Sequence, residues 1–211
     1  FMRDGWSIKQ LVRAITLSAT YRQATVGDPR AALIDPDNRL LGRASVRRLE
    51  AEAIRDGALA VSGSLDRKLY GPSVPVYLTE FMEGRGRPPA SGPIDGKNRR
   101  SLYLAVPRNF LSPMLRVFDC PIPFSTQGRR NASNVPAQSL TLMNDPFFQL
   151  LADRWGQRAI EFGAEDRVQV IEGLFVEAFS RAPRAAEIER ILAFLGDRND
   201  EGAWSDVCHV L

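Results

Sequence analysis

The sequence predicts a mainly α fold: a helical, bundle-like domain that carries a long irregular Gly/Pro-rich insertion and one or two short strands. Three observations predict it. Apolar residues recur at three- and four-residue spacing near the start of the chain and through its last third, as one buried helix face requires. Cap-and-proline pairs such as Asp145-Pro146 stand where those runs begin. Between Tyr70 and Asn98 the period disappears, and glycine and proline crowd the chain.

Taken in order, Ser7 caps a helix over SIKQLVRAITLSATYRQ, with Ile8, Leu11, Val12, Ile15 and Ala19 on one face. TVGDPRAALIDPDN is expected as a loop, because each Asp-Pro pair disfavours helix at its aspartate. RLLGR follows as a short helical turn. Ser45 is placed to cap a second long helix through RRLEAEAIRDGALAVSG, with Leu49, Ala53, Ile54, Ala60 and Val61 apolar and Gly63 ending it. Gly57 within that helix costs ~1 kcal/mol against alanine, which points to close backbone packing there.

GPSVPVYLTEFMEGRGRPPASGPIDGKN is the irregular stretch, with one short strand at VYLTEF. RRSLYLAVPRN reads as a strand in which Leu102, Leu104 and Val106 alternate with Ser101, Tyr103 and Ala105. After the proline-broken FDCPIPFSTQGRRNASN, helices run to the end: PAQSLTLMN, with Ser133 or Asn134 as cap, then DPFFQLLADRWGQRAIEF. DRVQVIEGLFVEAFSR puts Val168, Ile171, Leu174, Phe175 and Phe179 on one face. Pro183 opens a helix carrying Ile188, Ile191, Leu192 and Leu195, and AWSDVCHVL is the last.

A chain of 211 residues buries roughly 70% of the surface its unfolded form exposes, so no disulfide staple is required. No run approaches the ~20 apolar residues of a membrane span, and no secretory leader is visible. The opening FMRDGWSIKQLV runs from one helix tail into another. The expectation is therefore a single mostly helical domain over 1–211, a C-terminal fragment of a larger protein, with 70–98 as its irregular insertion. The net charge of +3 is too small to imply a nucleic-acid partner. All but three of the 28 basic residues are arginine, which suits bidentate pairing.

Few residue types are left for chemistry. His209 is the single histidine, so histidine-based zinc centres and His-Glu-x-x-His are excluded. Its surroundings point to ordinary packing. Cys120 and Cys208 match neither a zinc nor a redox pattern, and no Cys-x-x-Cys-His attaches a haem here. The two can pair in an oxidising compartment or stay as two buried thiols, and burial without pairing is the expectation. GRGRPPASG lacks the lysine-serine of a phosphate loop. Its Arg85 and Arg87, with Lys97, Arg99 and Arg100, can form an electropositive edge for an anionic polymer or a sugar sulfate, against a solvated loop.

Among the acids Glu50, Glu52, Asp56, Asp66 and Asp119, no spacing singles out a catalytic pair; Glu52 and Asp56 are the candidates. They lie one turn apart, with Arg48 four residues before Glu52 and Arg55 three after it. That pattern neutralises itself. It reads as an ion-paired lattice, which Arg22, Arg39 and Arg43 are placed to complete.

SATYRQ, DPDNRLL, RRLEAEAIRDGALAVSG, RRSLYLAVPRN, FDCPIP and VPAQSLTLMNDPF occur in that order. Together they resemble the C-terminal domain of large planctomycete-type, cytochrome-associated surface proteins, the domain of unknown function fifteen fifty-three. The resemblance implies an exported, extracytoplasmic protein with upstream domains as partners, one of which carries haem c; no cofactor falls in this segment. It implies no established catalytic residue. Its polar signature falls on Tyr21, Arg22, Asn38, Arg39, Arg48, Glu52, Arg55, Asp56, Arg99, Arg100, Ser101, Asp119, Gln138 and Asn144. Where the family pattern has Gly-Gly-Pro, this chain has Tyr70-Gly71-Pro72.

Two functions follow. One is a non-catalytic structural or binding module of an exported multidomain protein. The alternative is an extracytoplasmic enzyme module, redox-linked or acting on polysaccharide, with an Arg/Asp/Glu pocket. If Glu52, Asp56, Arg99, Arg100 and Asn144 converge on an open cleft the enzyme gains; if they pair off internally the scaffold does.

Overall fold

Helices organise the chain, and the computed structural model, which describes residues 1–163 and 166–211, holds almost nothing else that is regular. It divides into two compact units, Phe1–Arg48 and Leu49–Leu211. In the first, α1 (Ile8–Leu17) begins at Ser7, whose hydroxyl accepts from the Gln10 amide at 3.3 Å. It stops well short of Gln23. Ser18 turns extended (ψ 148°) and its hydroxyl ties back to the Ile15 carbonyl at 2.7 Å, competing with the next helical turn.

A second helix, α2 (Pro29–Ile34), stands where a loop was expected. Asp28 accepts from the Arg30 amide and Pro29 fills the first turn. An Asp-Pro pair that bars helix at the aspartate is also a start signal for the residues after it. The RLLGR segment is an irregular turn and not helical. No residue of this unit is buried.

The second unit opens with α3 (Ala51–Val61). Ser45 is not its cap; the chain stays irregular until Glu50, which takes the cap position with extended ψ. Leu49, expected on the apolar face, is exposed. The buried residues are Ala51, Arg55 and Leu59, four apart, so an arginine occupies the middle of the core-facing stripe. Gly63 follows the helix at φ 72°, as its end signal predicts. Gly57 has open space where its Cβ would stand, so the expected close packing is absent.

Residues 64–95 contain no helix, and the expected strands do not form. Among the described residues the only β pairing is two isolated parallel bridges, Asp66 with Arg99 and Val74 with Leu104. Residues Ser101–Tyr103 make a 3-10 turn instead of a strand, with Ser101 buried and Leu102 exposed, the inverse of the expected alternation. The cause is polar: the Ser101 amide and hydroxyl both reach the Asp56 carboxylate, which pulls the serine inward. In VYLTEF, Val76 and Leu78 are buried with Phe110, but no neighbouring strand pairs with them.

The rest is helical: α4 (Pro113–Val117), which the hydrophobic period is too short to reveal, then α5 (Pro136–Asn144) and α6 (Pro146–Gly163). Next come α7 (Arg167–Phe179), α8 (Ala185–Leu195) and α9 (Glu201–Val210). Side chains of Asp145, Asp166 and Asp200 cap α6, α7 and α9. Ala51, Leu59, Leu115, Phe118 and Phe147 form one core, while Trp155, Ile171, Leu174, Phe175, Leu195 and Trp204 form another. Of the expected α7 face, Val168 and Phe179 lie partly exposed, and Val170 is buried instead. Among the described residues, no helix is long and apolar enough to cross a membrane.

Candidate functional site

Arg55 is the hub of the polar residues on α3. Its side chain is 5% exposed, and both Nη atoms of its planar fork donate hydrogen bonds. Nη2 donates to the Asp95 carbonyl at 2.6 Å; Nη1 donates to the Arg99 carbonyl at 2.9 Å and to Ser101 Oγ at 3.2 Å. Asp56 Oδ1 lies 3.6 Å from Nη1, and the Phe147 ring 5.3 Å from Cζ. Burial pushes the Arg55 pKa down, with Asp56 and then Asp95 opposing the shift. Gly96 makes room for the guanidinium: its φ is +60°, and a Cβ there would stand 2.5 Å from Nη2.

Around that hub the helix-free segment is tied to α3. Asp56 Oδ1 accepts from the Ser101 amide and hydroxyl at 2.7 Å each, and Oδ2 lies 3.7 Å from Arg100 Nε. Arg99 stacks 4.0 Å from the Tyr103 ring centroid and donates to the Tyr70 carbonyl at 2.8 Å. Arg154, from α6, reaches Asp95 Oδ2 at 3.0 Å and Asn98 Oδ1 at 2.9 Å. Nothing in local spacing announces Arg154, Asp95 or Asn98, since their partners lie tens of residues away.

Glu52 faces a different cation from the one its helix suggests. Arg130 grips it in a bidentate pair, Nη1 to Oε2 at 2.7 Å and Nη2 to Oε1 at 2.9 Å, and also meets Glu50 at 3.1 Å. This guanidinium holds the Glu52 carboxyl below its usual pKa. The Cys120 thiol points at Glu52 Oε1 from 3.8 Å. Burial first, and Glu52 second, push its pKa up to about 11, so it is a protonated thiol at neutral pH. Cys208 is buried and its pKa is raised to about 12, again by burial first; both cysteines are free.

Asp119, at φ +63°, accepts from the Ser133 amide at 2.7 Å and its hydroxyl at 3.0 Å. Gln138 is buried and donates to the Val117 carbonyl at 3.1 Å while its Oε1 accepts from the Val135 amide at 3.4 Å. Ser133 and Asn134 are therefore not the cap of α5; Val135 holds that position and Gln138 satisfies its amide. Among the described residues Asn144 joins no network, donating to the Leu140 carbonyl of its own helix.

The other motif residues belong to the first unit and close local turns. Asn38, at φ +53°, exchanges hydrogen bonds with the Arg43 backbone, and Arg43 donates to the Pro36 carbonyl. Arg39 lies 3.9 Å from Asp37; Tyr21 and Arg22 are exposed just after α1, and Arg48 closes the unit. The expected completion of the α3 lattice falls to Arg130 and Arg154.

A groove of about 750 Å³ is bordered by Ile54, Met143, Phe148, Trp155, Cys208 and His209 among others, and no arginine, aspartate or glutamate lines it. His209 Nε2 lies 3.0 Å from the Leu142 carbonyl, a packing contact that ties α9 to α5. Among the described residues, no group of three His, Cys, Asp or Glu side chains is arranged to hold a metal ion.

A helical module whose α3 charges are engaged with other side chains and with backbone groups is the class that fold and site define. The chain belongs to the family described as PSD1, protein of unknown function (DUF1553), whose model matches residues 1–195. That is the family its ordered polar strings resemble. No curated protein and no solved structure matches the chain.

Proposed function

We propose that the chain is a non-catalytic structural or binding module, bundle-like in its helical half, of an exported multidomain cytochrome-associated protein. It acts outside the cytoplasm, its partners are the upstream domains of the same polypeptide, and any haem c is carried there. Neither Cys120 nor Cys208 sits in a Cys-x-x-Cys-His sequence, so the residues here do not fit a covalently attached haem. The observation that carries the structural role is the engagement of Arg55: its hydrogen bonds to Asp95, Arg99 and Ser101 tie α3 to a distant stretch of chain. Buried arginines spent on carbonyl oxygens organise backbone; a catalytic or ligand-binding arginine keeps donors for its target. The test is deletion of residues 1–211 from the full-length protein. The upstream domains should lose their association or their stability; upstream domains that stay folded, associated and fully competent defeat the proposal.

A second reading, an extracytoplasmic enzyme that is redox-linked or acts on polysaccharide, has one observation in its favour. Asp56 keeps 21% of its side chain exposed, beside half-exposed Arg100. A folded Asp56→Asn variant of the full-length protein that retains every activity removes that support.

A further inference from the structure

Two stretches some thirty residues apart are fastened side by side. The Asp66 amide donates to the Asn98 carbonyl at 2.9 Å. Arg99 Nη2 donates to the Tyr70 carbonyl at 2.8 Å, and the Tyr70 amide donates to the Tyr103 hydroxyl at 2.7 Å. What this brings together is charge. Residues 66–70 and 97–103 hold Arg67, Lys68, Lys97, Arg99 and Arg100 against a single carboxylate, Asp66, a net of four positive charges where the whole chain has +3.

Arg99 is buried and faces Asp66 at 3.8 Å, so it consumes that carboxylate. Arg67, Lys68 and Lys97 are left exposed, and Arg100, half-exposed, faces Asp56 at 3.7 Å. Two of the chain's three lysines lie here, the hydrated point charges suited to solvated anionic groups. Among them stands Tyr70, 80% exposed, with φ +65°, a conformation that a tyrosine rarely adopts. Its amide and carbonyl are both hydrogen-bonded, which holds the ring out in solvent.

We propose that this surface binds an acidic polysaccharide, a chain of pyranose rings bearing carboxylate or sulfate groups. Tyr70 offers a flat face to one ring, and Arg67, Lys68, Lys97 and Arg100 meet the flanking anions. Nucleic acid fits the surface less well. Single-strand binders set out several stacking platforms, whereas the Tyr103 ring is covered by the Arg99 guanidinium and Tyr70 stands by itself. Duplex readers insert a helix or a strand pair into a groove, and this surface is a turn and an isolated bridge. The edge expected from sequence is thus differently composed: Lys97 and Arg100 are joined by Arg67 and Lys68, while Arg87 pairs with Glu83.

The inference deepens the binding half of the function proposed above, and its test is separate, because the deletion experiment reads association of the upstream domains and involves no glycan. The full chain is titrated with oligogalacturonate and with dextran sulfate, and in parallel with neutral dextran, polyglutamate and a single-stranded oligonucleotide. Binding to one or both acidic glycans is expected, carboxylated or sulfated according to which of the two is taken. The Arg67→Gln/Lys68→Gln/Lys97→Gln variant should weaken it about tenfold. Tyr70→Gly should weaken it too while relieving the positive φ, so loss of fold cannot explain the result. Failure to bind either acidic glycan overturns the proposal. So does equal binding of polyglutamate or the oligonucleotide, or wild-type affinity in both variants.

Discussion

Arg55 Nη2 lies 2.6 Å from the carbonyl oxygen of Asp95, forty residues along the chain. The contact is the shortest of a set that lets one side chain of α3 define the course of the segment from Asp95 to Ser101. Replacing Arg55 by an apolar residue of similar length strands the Arg99 carbonyl, leaves the Asp95 carbonyl with the Asn98 amide alone and takes from Asp56 its nearest cation. Each stranded buried acceptor costs ~1–3 kcal/mol, so Arg55→Met should destabilise by about 3–5 kcal/mol, in the range for breaking a buried charged contact. Arg154→Met, which removes a more exposed partner of the same Asp95, should cost only about 1 kcal/mol. Urea unfolding of both variants measures the difference. An Arg55→Met chain within 1 kcal/mol of the parent would deny the tie its structural role.

Glu52 and Arg130 make stability depend on pH in a predictable sense. The bidentate guanidinium lowers the folded-state pKa of Glu52 from its ordinary 4.5. A carboxylate depressed in the folded state adds stability above its unfolded pKa and loses it as pH falls through the folded value. The parent chain should therefore be more stable than Glu52→Gln at neutral pH, with the gap closing below pH 4.5. Denaturant midpoints of the two proteins across pH 3–7 test this, as an order-of-magnitude window around that carboxylate range. A gap that stays constant or widens on acidification contradicts it.

What the sequence made legible was local. Ser7, Asp145 and Gly63 mark helix ends by chemistry that acts within a few residues, and each stands where its pattern placed it. Pro136 and Pro146 marked α5 and α6, and the apolar period found α7 and α8, for the same reason. Ser45 misled because an N-cap pattern needs only a serine before a helical run, and the run here starts six residues later. Ser101 misled more instructively. Alternation put Leu102 inside, but an Asp56 carboxylate 45 residues away outcompeted the burial of a leucine. The charged face of α3 takes partners other than those its own spacing offered: Arg130 and the Asp95 carbonyl were not legible, because contacts across tens of residues leave no periodic trace.

Two helical glycines should respond in opposite directions to the same change. Gly57 of α3 has no atom near the position of an added Cβ. Gly57→Ala should therefore stabilise by about 0.5–1 kcal/mol through the loss of unfolded-state entropy. Gly156 of α6 lies against α9, and a Cβ there would stand 2.5 Å from the Ser205 amide nitrogen and 2.8 Å from its Cα. Backbone cannot move aside as a side-chain tip can, so Gly156→Ala should cost about 1–3 kcal/mol, the usual toll of overpacking. Thermal melts of the pair give the answer, and the same sign for both would mean that α6 and α9 do not cross so closely.

Tyr70 carries backbone strain that can be separated from its ring. At φ +65° the tyrosine Cβ crowds its own carbonyl, at a cost of roughly 1–2 kcal/mol for a residue with a side chain. The ring returns little, since it is 80% exposed. Glycine removes the crowding but loses up to ~1 kcal/mol in unfolded-state entropy. Tyr70→Gly should come out more stable by up to about 1 kcal/mol, and Tyr70→Ala, which keeps the Cβ, should gain nothing. The hydrogen bonds at this position use only the backbone of residue 70, so both variants keep them. Chemical unfolding of the three proteins decides the matter: Tyr70→Gly must exceed Tyr70→Ala. Equal stabilities would show that the left-handed backbone is not strained, and Tyr70 would then need no function to explain its presence there.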